Sequence, residues 1–194
     1  LVGVRTCSED DDVLLAARSG KCIRFTVGGL RLFGTRSTVG VIGMRLGKDD
    51  EVISMSVLKH VDLETEERGR YLRAVTARQR LASTTLSEAD RPVEEEKAVA
   101  IDGARFDALA EAEEFILAVT ENGFGKRTSA YEYRITARGG QGIINIIASA
   151  RNGRVIAAGP VSNEDQIVAV TDGGKLIRSP VAGHTEHVTP FIVI

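Results

Sequence analysis

Aromatic side chains are scarce in this chain: no tryptophan, three tyrosines and six phenylalanines among 194 residues. A surface that holds single-stranded nucleic acid by base stacking needs several such rings, so that class is disfavoured. Cysteine is scarcer still. Cys7 and Cys22 are too few for a disulfide framework or a zinc cluster; two unpaired thiols suit a reducing cytoplasm, with burial as small hydrophobes their plain role. His184 and His187 stand three apart without companion carboxylates or cysteines, and two ligands do not complete a metal shell. No apolar run nears the roughly 20 residues that span a bilayer, and no basic stretch leads into an apolar core at the N-terminus. A full Gly-x-x-x-x-Gly-Lys-[Ser/Thr] phosphate loop is absent, and no nucleophile stands paired with a base. Isolated serines and aspartates fall mostly at turns, where they hydrogen-bond backbone. The first residue is Leu1 rather than methionine, so the start of the natural protein is expected upstream.

What is present is unevenly distributed charge. The net charge of −2 is an average of two opposed regions. Residues 61–114 hold 14 acids and 8 bases, a balance of −6, and the remainder holds 13 acids and 17 bases, a balance of +4. From Val13 to Lys48 there is no acid at all, against seven bases. A basic body therefore carries an acidic insertion.

The body is repetitive. "VLLAARSGKCIRF" at 13–25, "ILAVTENGFGKRT" at 116–128 and "IVAVTDGGKLIRS" at 167–179 share one pattern: an apolar strand, a polar turn, a glycine and a basic strand. Gly20, Gly123 and Gly174 coincide, as do Arg24, Arg127 and Arg178. A tight hairpin needs positive φ at such glycines, so each copy is expected to be a β-hairpin. "RSTVGVI" at 36–42 and "RGGQGII" at 138–144 form a second shared pattern, followed by "VIGMRLGKDDEVISMSV" and "IINIIASARNGRVIAAGPV", each read as a second strand pair with its turn at Lys48–Asp50 or Asn152–Gly153. One unit is thus two hairpins over roughly 50 residues, the signature of a propeller-like blade.

Two regions depart from the repeat. Residues 62–81 lack strand alternation, carry Glu64/Arg68 and Glu66/Arg70 at i,i+4 spacing and have a thin apolar stripe of Leu72, Val75 and Leu81. "STTLSEADRPVEEEKAVA" reads as polar linker and "FDALAEAEEF" as a short helix. The third copy does not complete, because "GHTEHVTPFIVI" has neither the arginine nor the glycine. The expected organisation is a blade at 1–60, an acidic, partly helical or disordered insertion at 61–114, a blade at 115–163 and an incomplete or divergent third blade at 164–194.

"ENGFGKRTSAYEYRITARGGQGI", "RNGRVIAAGPV", "DQIVAVTDGGKLIR" and "GKCIRF" closely resemble the C-terminal domain of the A subunit of bacterial DNA gyrase. The resemblance covers about 12–60 and 113–182. It implies an all-β fold, a β-pinwheel of four-stranded propeller-like blades, here two blades and part of a third in an incomplete ring with the insertion between them. It implies wrapping of double-stranded DNA around a basic rim, in support of ATP-dependent negative supercoiling by a type II topoisomerase. The parent assembly would pair two A subunits with two B subunits in the bacterial cytoplasm, on the nucleoid, and would use ATP and Mg. This chain would need no cofactor, since the catalytic tyrosine, metal-binding carboxylates and ATP site lie elsewhere in the assembly. The family's basic box, Gln-Arg-Arg-Gly-Gly-Lys-Gly, is matched only partly by "TARGGQG" at 136–142, where Gln141 replaces the basic sixth position. That segment is read as the equivalent stretch of a later blade.

The candidate DNA contacts are Lys21, Arg24, Arg31, Arg36, Arg45, Lys126, Arg127, Arg134, Arg138, Arg151, Arg154, Lys175 and Arg178. Alternation of apolar and basic residues in "KCIRF" is expected to turn the cations outward, and recurrence favours Arg24/Arg127/Arg178 and Arg36/Arg138. Such contacts give affinity by counterion release with little base specificity. Phe25, Phe33, Tyr131 and Tyr133 are expected in the core. Two alternatives stand beside this reading: a protein-binding propeller with the acidic insertion as its contact, and the equivalent domain of topoisomerase IV.

Overall fold

The structure, a computed structural model, describes residues 3–35, 37–83, 101–183 and 188–190. It divides into two compact units, Leu1–His60 with Glu114–Ile194, and Val61–Glu113.

The first unit is built from β-strands. β1 (Asp11–Ala17) and β2 (Lys21–Thr26) form a hairpin with Ala16 opposite Cys22 and Val13 opposite Phe25. Its turn closes at Gly20, φ 87°, whose amide donates to the Ala17 carbonyl at 2.9 Å. β3 (Val52–Lys59) pairs antiparallel with the other side of β1, and the register slips between Ala16 and Ala17. The second copy repeats this plan. β4 (Phe115–Thr120) and β5 (Phe124–Ser129) turn at Gly123, φ 74°, and a later strand, Val155–Val161, pairs with β4, with the slip between Val119 and Thr120. The irregularity recurs at the same repeat position, so it belongs to the blade design.

The fourth strand of each sheet corrects the expectation that a unit supplies its own four. β6 (Ile143–Ile144), from the second copy, pairs with β2 of the first, with Lys21 opposite Ile144 and Cys22 opposite Ile143. Numbering Val155–Val161 as β7, β8 (Gln166–Val170) and β9 (Leu176–Pro180) form a separate hairpin, turned at Gly174. β10 (Thr189–Pro190) then pairs with β5. The sheets therefore run β3-β1-β2-β6 and β10-β5-β4-β7. β2 and β5 would otherwise present unpaired backbone donors and acceptors, and a strand from the following copy satisfies them. The final strand comes from the stretch in which sequence similarity fades; the residues flanking it, 184–187 and 191–194, lie outside the described residues.

A second correction concerns "VIGMRLGKDDEVISMSV". Only its latter half is strand, and its first half contributes one isolated parallel bridge, Met44 to Gly140. The turn at 48–50 is present, with Asp49 at φ 62° and the Asp50 carboxylate accepting from the Ser19 amide at 2.9 Å and hydroxyl at 2.6 Å.

Alternation along β1 sends its side chains into two cores. Val13, Leu15 and Ala17 join Ile23, Phe25 and Met44. Leu14 and Ala16 join Cys22, Leu58, Ile116, Ala130 and Tyr133, so this core is shared by the two sheets. Burial pushes the Cys22 thiol up to about 12 and raises the Tyr133 phenol as well.

The second unit is helical. α1 (Thr65–Ser83) and α2 (Gly103–Ala112) meet at Tyr71 and Phe106, whose ring centroids are 5.0 Å apart. Asp102 caps α2 by accepting from the Arg105 amide at 3.1 Å. The short helix thus begins before the expected "FDALAEAEEF" and ends before Phe115, which opens β4. The anticipated Glu64/Arg68 and Glu66/Arg70 pairs do not form among the described residues; Glu67 instead pairs with Arg105 at 2.7 Å. Tyr71 and Ala74 are buried, with the anticipated Leu72 and Val75 half-buried beside them; the Leu81 side chain lies outside the described residues. The linker reading of 83–100 falls almost wholly outside the described residues.

Candidate nucleic-acid interface

The strongest sequence candidate is the clearest correction. Arg24 lies opposite Leu14, on the face shared by the two sheets, and is 4% exposed. Its Nε donates to Asp12 at 2.8 Å, Nη1 to the Ala130 carbonyl at 2.8 Å and Nη2 to the Lys59 carbonyl at 3.1 Å. Asp12 is fully buried and also faces His60 Nδ1 at 3.0 Å. Arginine is placed here to join β1, β3 and the chain after β5, so no phosphate reaches it. At the equivalent position Arg127 is half-buried, with its guanidinium 3.9 Å over the Phe115 ring. Phe115 occupies the repeat position of Asp12, so one arginine is held by an ion pair in the first blade and by a ring face in the second. Of the three, Arg178 in the third copy is exposed, on a hairpin that pairs with no further strand among the described residues.

The remaining candidates sort by where the crossing segment takes them. After β5 a short 3-10 turn, Ala130–Glu132, buries Tyr131, and the chain then runs back across the first blade. The Thr136 amide donates to the Arg24 carbonyl at 2.9 Å, the Gly139 amide to Gly43 at 2.6 Å and the Arg45 amide to Gly140 at 2.8 Å. Gly139 and Gly142 have φ of 79° and 74°, and a Cβ on Gly142 would collide with the Cys22 carbonyl. This is the stretch matching the basic box in part, and its glycines let it lie against β2.

That crossing gathers cations from three parts of the chain. Arg134 and Arg138 are exposed on the segment, and Arg138 Nη1 donates to the Ile42 carbonyl at 3.3 Å. Arg45 is exposed beside Gly140. Lys21 is half-buried opposite Ile144, and Lys126 Nζ reaches the Asn145 carbonyl at 3.4 Å. Residues 113 positions apart in sequence, such as Lys21 and Arg134, thereby line one sheet edge. No ion pair engages any of these five among the described residues. Exposed guanidinium and ammonium groups along an edge can meet successive phosphates.

Other candidates stand apart from this edge. Arg151 and Arg154 are exposed on the turn before β7, which folds onto the Asn122–Gly123 turn; Asn122 Nδ2 donates to the Arg151 carbonyl at 2.9 Å. Arg151 also lies 5.1 Å from the Phe124 ring. Lys175 and Arg178 belong to the β8–β9 hairpin, and Lys175 is exposed there. Arg31 is exposed near Phe33, which is itself exposed rather than in the core, whereas Phe25, Tyr131 and Tyr133 are buried. Arg36 lies outside the described residues.

Arg18 is absent from the sequence candidates, yet it bridges Glu51 at 2.9 Å and Glu121 at 2.8 Å. Arg18 and Glu121 occupy the same repeat position, so opposite charges in successive hairpin turns were the signal available. The Arg18 hydrogen bond and then the Arg154 amide hold the Glu121 carboxyl below its ordinary range.

Residues 11–59, 114–162 and 165–182 match the family described as the DNA gyrase C-terminal domain, beta-propeller. The DNA gyrase A subunit of Granulibacter bethesdensis is 50% identical over 190 residues, covering 93% of this chain and 20% of that protein. Its counterpart in Rickettsia bellii is 47% identical over 178 residues, covering 92% of this chain and 19% of its own length. The chain thus spans about one fifth of these relatives. Among solved structures, the C-terminal domain of DNA topoisomerase IV superposes with a TM-score of 0.58 at 15% identity, covering 90% of this chain and 38% of that one, a likeness of fold.

Proposed function

This chain belongs to the DNA gyrase C-terminal domain family, and from that premise we propose that it grips and wraps duplex DNA on the edge where its second repeat crosses its first. The observation that carries the proposal is the convergence of Lys21, Arg45, Lys126, Arg134 and Arg138 at that edge. Arg151, Arg154, Lys175 and Arg178 extend the basic surface along later parts of the chain, and Arg31 along earlier ones. Bending a duplex over a few helical turns costs on the order of several kcal/mol, which many phosphate contacts must offset. Counterion release from those contacts supplies affinity without reading bases.

Within the longer protein, the grip would serve a type II topoisomerase that introduces negative supercoils with ATP bound on its B subunits, in the bacterial cytoplasm. No described helix is long and apolar enough to cross a membrane. The test is binding of unrelated duplexes across a salt series. Affinity should fall steeply and equally for all sequences as salt rises. Absence of binding at low salt by folded protein would refute the proposal and favour the protein-binding propeller.

A further inference from the structure

We infer that the face of α1 turned away from α2 is a second duplex-DNA contact surface, carried by the insertion rather than by a blade; it rests on the reading of the blades as DNA-binding. The family match stops at 59 and resumes at 114, so the blades' shared design does not account for this element. Its charge is also unlike that of the segment around it. Residues 61–114 are acidic overall, yet the sixteen residues from Arg68 to Ser83 contain five arginines and no aspartate or glutamate.

The helical unit uses some of these charges internally. Glu67 is taken by Arg105, the Tyr71 hydroxyl donates to Glu113 at 2.9 Å, and the Arg78 guanidinium lies 3.6 Å over Phe106. At 100° per residue, Tyr71, Ala74 and Arg78 share the face turned to α2. Arg73 falls on the opposite side, with Arg70 at its flank. Arg73 is exposed, and neither it nor Arg70 makes an ion pair among the described residues. The Nε of Arg70 is buried without a hydrogen-bond partner, so this guanidinium is not fully satisfied within the chain.

Gly69 supplies a further, geometric observation. Glycine inside a helix is disfavoured relative to alanine. A Cβ at Gly69 would stand 3.3 Å from Arg73 Nη1, so its absence leaves space for that guanidinium to lie along the helix. The rise from residue 70 to residue 73 is about 4.5 Å, on the order of one phosphate step along one strand of a duplex. No aromatic ring among the described side chains of that face offers a base-stacking platform, and the chemistry fits backbone phosphates.

The experiment measures anisotropy of a labelled duplex of arbitrary sequence, about four helical turns long, with the whole 194-residue chain. Arg70→Glu with Arg73→Glu should weaken binding about three- to tenfold and flatten the log–log salt slope by about 0.9 for each contact removed. Arg73→Lys, which keeps the charge, should bind nearly as wild type, and circular dichroism establishes that the helices persist. Unchanged or tighter binding by the folded double variant, while an Arg45→Glu, Arg138→Glu variant still loses affinity, would overturn this inference and leave the blade reading standing. A wild-type chain that binds no duplex would refute both. Loss of poly-glutamate binding alone in the α1 variant would overturn it too, and would assign the face to acidic protein instead.

Discussion

At the scale of the residue, the informative contrast is between arginines that recur and arginines that are exposed. Arg24 and Arg127 recur because each blade needs a long donor at that site, and the donor is spent on Asp12 with two carbonyls, or laid on Phe115. Repetition in sequence here marks a structural requirement rather than a ligand contact. The signal for it is Asp12, an acid entering an apolar strand, which foretells a buried partner. Arg24→Gln should therefore destabilise the fold by about 3–5 kcal/mol, since it leaves a buried carboxylate uncompensated. Urea unfolding monitored by circular dichroism checks this; a loss under about 1 kcal/mol would show that Asp12 finds other compensation. The cysteines offer a second prediction. Cys22 is buried with its thiol pushed up to about 12, whereas Cys7 is exposed. At mildly alkaline pH, native protein should take up one equivalent of alkylating reagent quickly and a second only on unfolding, as mass spectrometry would record.

At the scale of the element, hairpins were legible and crossings were not. Glycine at Gly20, Gly123 and Gly174 states its own conformation, and all three have positive φ. By contrast, β6 is two residues long and pairs with a strand 121 positions away, Ile143 lying opposite Cys22. Local pattern carries no record of such pairing, although Gly139 and Gly142 mark where backbone approaches backbone. Gly142→Ala should separate β6 from β2, because the added methyl meets the Cys22 carbonyl at a positive φ. Gly174→Ala serves as the comparison, since it shares the φ of its class but has no heavy atom within 4 Å of the added methyl. The Gly142 variant should lose more thermal stability and more DNA affinity than the Gly174 variant. Equal losses would mean that backbone conformation alone sets the cost and that the crossing does not organise the edge.

At the scale of the whole molecule, two repeats and a hairpin make a surface that no single repeat possesses. The sequence displayed the basic body and the insertion through charge alone, and the repeat disclosed the blades. It did not disclose which cations share an edge, because Lys21, Arg45 and Arg138 become neighbours only through strand exchange. One stretch of the first repeat, including Leu32, Val39 and Ile42, exposes apolar side chains. Such a surface favours association, so Val39→Lys with Ile42→Lys should reduce concentration-dependent oligomers in sedimentation velocity.

The central claim is that exposed edge cations hold DNA while the recurrent buried arginine holds blades together. Its most direct test is the salt dependence of duplex binding by an Arg45→Glu, Arg138→Glu variant with native circular dichroism. The log–log slope should be shallower than wild type by about 1.8, two contacts at about 0.9 each. A slope and affinity indistinguishable from wild type would contradict the account.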